Sequence, residues 1–115
     1  MRCSYFILLT AVAALDGCSR APVVSITNRS TNALASVVVS GAGFTNLIAR
    51  IEAGALSRLT VHPRGESGVR IAFDAGGQHV DTAEQGYFEA GGGYRVAVTV
   101  EPDLKVSVSS TLRRY

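Results

Sequence analysis

His62 and His79 are the two histidines of the chain. A zinc site made without cysteine would need further imidazole or carboxylate ligands converging at about 2 Å. Glu66, Asp81 and Glu84 are candidates by type, but no spacing singles them out. His62 falls on the outward phase of an alternating run and precedes Pro63, so it reads as a surface residue. Neither a metal site nor a cofactor is expected.

Other residues capable of chemistry lack the arrangement that chemistry needs. A serine nucleophile on a sharp elbow requires Gly-x-Ser-x-Gly. Gly65-Glu66-Ser67-Gly68 is the nearest approach, misses the spacing and reads as a glycine-softened loop. Glycoside hydrolysis requires two acids flanking a cleft; Glu84 and Glu89 are close in sequence, but a domain this small offers little cleft. No Lys-Ser/Thr follows Gly91-Gly92-Gly93, so it is no phosphate loop. Asn28-Arg29-Ser30 has the form of a glycosylation acceptor and reads instead as part of a turn through Asn32. No catalytic residue is assigned, and a non-enzyme is expected.

The densest cluster lies between Glu84 and Tyr94. Tyr87, Phe88 and Tyr94 are three of the six aromatic residues that follow Cys18. Exposed aromatic rings beside polar groups are typical anchors for proteins or sugars. Tyr87, Glu89 and Tyr94 therefore form the candidate binding surface. In the competing arrangement, favoured by the core's need for large side chains in a chain without Trp, Phe88 and Tyr94 fill the core and Tyr87 caps a sandwich end.

Both cysteines, Cys3 and Cys18, lie near the N-terminus, so the remainder of the chain can form no disulfide of its own. After Met1-Arg2 comes an apolar run from Tyr5 to Leu15. As a helix it would span about 16 Å, well short of a bilayer core of about 30 Å. It fits the h-region of a signal peptide, as an N-terminal signal helix. The run ends in Leu15-Asp16-Gly17-Cys18, which resembles the lipobox of small bacterial lipoproteins. Leu15 and Gly17 match the pattern, whereas Asp16 stands where a small or apolar residue is usual. The resemblance implies cleavage between Gly17 and Cys18 and a lipid on Cys18. It implies a cell-envelope location, and Ser19 in place of Asp implies sorting to the periplasmic face of an outer membrane. The expected partners are thus the membrane, through the lipid on Cys18, and an envelope protein. The expected division is a signal peptide over 1–17, a lipidated Cys and tether over 18–22, and one domain over 23–115.

That domain reads as all-β. Apolar and polar residues alternate in short runs separated by Gly, Pro, Asn and Asp. Val24 and Ile26, Val37 and Val39, Leu59 and Val61, and Val69, Ile71 and Phe73 each share a face by period 2. So do Tyr94, Val96, Val98 and Val100, and then Leu104, Val106 and Val108. A weaker strand is expected over 47–51 and a polar edge strand over 78–82. Seven to eight strands at this spacing predict an antiparallel two-sheet sandwich, immunoglobulin-like or transthyretin-like. About 98 residues remain from Cys18 onward, enough to fold without a staple. The formal charge is +2, and its Lys and Arg residues are scattered, which argues against nucleic acid. The function expected is a non-catalytic binding or assembly module on a lipid anchor, with a tethered enzyme or enzyme inhibitor as the alternative.

Overall fold

The computed structural model describes residues 20–112. The expected signal segment, the expected cleavage site at Gly17, the expected acylation at Cys18, and Arg113 to Tyr115 lie outside them. Nine strands follow one another: β1 Val23–Asn28, β2 Leu34–Gly41, β3 Phe44–Ile51, β4 Leu56–Thr60, β5 Ser67–Ala75, β6 Gln78–Asp81, β7 Gln85–Phe88, β8 Arg95–Val100 and β9 Val106–Thr111. They make two sheets, ordered β4-β1-β8-β9 and β3-β2-β5-β6, with β7 also paired to β5. The fold is an all-β sandwich. Its core draws from both sheets: Val24, Ile26, Val96, Val98 and Val100 from one, and Leu34, Val37, Val39, Val69, Ile71, Phe73 and Phe88 from the other.

Period 2 places most of these side chains. In β8, Val96, Val98 and Val100 are buried while Arg95 and Ala97 are exposed. β5 does the same with Val69, Ile71 and Phe73 against Arg70 and Asp74.

Nine strands stand against the seven to eight expected, and the structure departs from the sequence reading at several further points. β1 runs parallel to β8, whereas every other pairing is antiparallel. The N-terminal strand enters beside the start of β8, with the Val23 N–H donating to the Tyr94 carbonyl at 3.0 Å. Strict alternation would put Leu34 opposite Val37, yet both are buried. Ser36, at φ 50°, marks a β-bulge where the β2–β5 register shifts, and the extra residue returns Leu34 to the inner face. β3 begins at Phe44, three residues before the expected start. Ser67 and Gly68, read as loop, open β5. Leu104, read as strand, occupies the β8–β9 turn at φ 69°.

One edge of β5 is shared. β6 covers its second half and β7 its first, with Ala75 opposite Gln78 and Ser67 opposite Phe88. Between them the chain steps away, and the Glu84 carboxylate accepts the Gly68 N–H at 2.9 Å. That bond satisfies a backbone donor the ladder leaves open.

Candidate functional site

β7 brings the candidate surface together. Gly86 has φ +78°, and a Cβ there would lie 2.9 Å from Val108 Cγ1. Only glycine meets both demands, and its absence of side chain lets β7 lie against β9. The Tyr87 N–H then donates to Ser110 Oγ at 3.3 Å. Alternation sends Phe88 into the core, where its ring centroid is 6.2 Å from that of Phe44. Tyr87 points the other way and is 46% exposed.

Tyr87, Glu89 and Tyr94 meet. The Tyr87 hydroxyl donates to Glu89 Oε2. The Tyr87 and Tyr94 rings stand edge to face, with centroids 6.2 Å apart and planes at 80°. This geometry places a ring edge on a π face and is favourable. Tyr94 is half-buried and packs on the core, while Glu89 is exposed. The fill-the-core arrangement therefore holds for Phe88 and in part for Tyr94. The Tyr87 phenol is pushed up to about 12, first by its hydrogen bond to Glu89, then by partial desolvation and the negative charges of Glu66 and Glu89. It remains a proton donor throughout the neutral range, suited to hydrogen bonding and unsuited to act as a base.

Two features of this surface were invisible in the sequence because they join distant residues. The Gly93 N–H donates to the Arg20 carbonyl at 2.8 Å, which ties the start of the described chain to the 91–93 loop. Leu112, 49% exposed, lies beside it: a Cβ on Gly92 would be 3.4 Å from Leu112 Cδ1 and 3.5 Å from Tyr94 Cε1.

The other candidates are held apart in separate local pairs. His62 is exposed. His79 Nδ1 lies 2.7 Å from Asp74 Oδ1, directly across the β5–β6 ladder. Asp81 takes both its bonds from Arg70, at 2.9 Å each, and this guanidinium holds its carboxyl below the usual range. Glu84 is bound to Gly68 and Glu89 to Tyr87, so the two acids serve different partners. Among the described residues no group of three His, Cys, Asp or Glu converges as metal ligands would. The buried Ser67 hydroxyl donates to the Gly68 carbonyl at 2.6 Å and accepts the Ala42 N–H at 2.9 Å, a structural role. Asn28, read as part of a turn, is the fully buried last residue of β1 and acts as the hub of the turn that follows.

No protein-family model matches the sequence, and no curated protein does. The fold has a counterpart among solved structures. It is similar to the NMR structure of a protein from Eubacterium rectale, at a TM-score of 0.57 and 10% identity, over 87% of this chain and 94% of that one. At that identity the likeness extends to the fold alone.

Proposed function

We propose that this chain is a lipid-anchored cell-envelope protein, held through Cys18 at the periplasmic face of an outer membrane, whose sandwich is a non-catalytic binding or assembly module. One observation supports the binding role above the others. Tyr87 is an exposed aromatic side chain on β7, with its hydroxyl held by Glu89 and its ring braced by Tyr94. Ordering such a ring in advance lowers the entropic cost of binding. The Leu15-Asp16-Gly17-Cys18 motif supports the anchor.

Two measurements test the reading. Metabolic labelling with a fatty-acid analogue should mark the protein and spare Cys18→Ala; equal labelling of both would remove the anchor. A photoreactive phenylalanine at position 87 should crosslink to an envelope component in intact cells. The same probe at Leu56, which is 48% exposed on another strand, should not. Identical products from both positions would remove Tyr87 as the binding surface.

A further inference from the structure

The two ends of the sandwich differ. At one end lie residues 20–22, the 42–43 turn, the 61–66 and 89–94 loops, and Leu112. Backbone bonds knit them: Val61 N–H to the Pro22 carbonyl at 3.1 Å, Arg64 N–H to Ala42 at 2.9 Å, Gly93 N–H to Arg20 at 2.8 Å. The opposite end holds the 29–33, 52–55, 76–77 and 101–105 turns. Tyr87, Tyr94 and Leu112 thus belong to the end at which the chain enters. Cys18 is two residues before Arg20, and two extended residues reach about 7 Å. A lipid on Cys18 would hold this end at the bilayer surface.

We propose that this end docks on the phospholipid headgroup layer, with Tyr87, Tyr94 and Leu112 as its contact. The proposal rests on the anchor reading above and names the ligand of the aromatic surface. Tyrosine suits that depth because its ring is apolar and its hydroxyl polar. Arg64 and Arg95 are exposed at the same end. Arginine can lay its aliphatic stem on the interface while its head meets phosphate. Glu66 and Glu89 oppose this attraction, so the aromatic and apolar contact carries the docking. So small a patch would bind weakly by itself. The anchor makes its contact intramolecular, at high effective concentration, so a weak interface suffices.

The chain contains no Trp, so a single Trp reports on one position. Leu112→Trp, Tyr87→Trp and Leu56→Trp would each be purified as the full protein from cell membranes. Leu56, at 48%, matches Leu112 in exposure and lies at the opposite end. The mass of each protein gives its acyl content. Each is then placed in phosphatidylethanolamine–phosphatidylglycerol vesicles with and without lipid brominated high in the acyl chain. Acylated Leu112→Trp and Tyr87→Trp should lose roughly half their emission to bromolipid, the level at which interfacial aromatics sit, while Leu56→Trp is unchanged. Acylated protein with equal quenching at both ends, or none, would overturn the docking and leave the anchor standing. A blue-shifted but unquenched Leu112→Trp would mean a protein contact and would also overturn it. Absence of acyl mass would overturn the anchor reading, and the docking with it. If Tyr87→Trp disturbs β7, Leu112→Trp, beyond the last strand, decides alone.

Discussion

Ser30 is wrapped around the carboxamide of Asn28: its N–H and its hydroxyl lie 3.0 and 2.7 Å from Asn28 Oδ1. On the other side, Asn28 Nδ2 faces the carbonyls of Asn32 at 2.8 Å and of Ile51 and Glu52 at 3.1 Å. One buried side chain thereby joins the β1–β2 turn to the β3–β4 turn, across the two sheets. Asn28→Ala would leave several buried groups unpaired and should cost on the order of 3 kcal/mol in chemical denaturation. Asn28→Asp would set a carboxylate against three carbonyl oxygens. Its pKa would rise on folding, so the variant should gain stability relative to wild type as pH falls from about 7 to about 5.

Gly41 supports a second prediction. A Cβ there would lie 2.5 Å from Ser67 Oγ and 2.6 Å from the Gly68 carbonyl oxygen, and backbone cannot move aside cheaply. Gly41→Ala should destabilise by about 2 kcal/mol or more, an overpacking cost. Gly91→Ala, where nothing lies within 4 Å, should stay within about 0.5 kcal/mol of wild type. Thermal melts of the pair check the contrast.

The faces of β8 give a third. Val98 is buried between Ile26 of β1 and Val108 of β9, whereas Thr99 faces outward between Thr27 and Ser107. Val98→Asp would bury an unpaired charge at a cost of several kcal/mol, comparable to the whole stability of a small domain. Thr99→Asp should cost far less. Equal losses in denaturant would mean that the outer face of this sheet is covered.

The Tyr87 phenol should ionise well above the ordinary tyrosine value. Followed by absorbance near the phenolate band, one component should appear at about 12 and vanish in Tyr87→Phe. Glu89→Ala should return it towards the ordinary value of about 10. Because its folded pKa is raised, the stability it contributes is complete below about 10 and is lost as pH rises towards 12.

Alternation along β8 and the stretch of β5 from Val69 makes their inner faces readable, since exposed residues there alternate with buried ones. The meeting of Tyr87, Glu89 and Tyr94 also has a local cause: they lie within eight positions, and one strand end brings them together. What stayed hidden depends on partners remote in sequence. The bulge at Ser36 exists relative to β5, and nothing around Leu34 announces a change of phase. The parallel β1–β8 pairing joins strands some seventy residues apart. Glycines in the 65–68 segment suggested flexibility, yet Gly68 serves close packing, with Glu84 Cγ 2.8 Å from where a Cβ would stand. Leu112 and the Arg20–Gly93 bond joined the surface through the same long-range closure.

The position of β1 has a mechanical consequence. The first strand is inserted in the middle of its sheet, between β4 and β8, with both ladders running along its length. A pull on residues 20–22 against a load at the far end of the domain acts along that strand. The bonds on both sides then resist together, in shear, where a strand peeled from an edge would yield one bond at a time. A first strand placed centrally in this way resists a pull from its N-terminal side with no disulfide among the described residues.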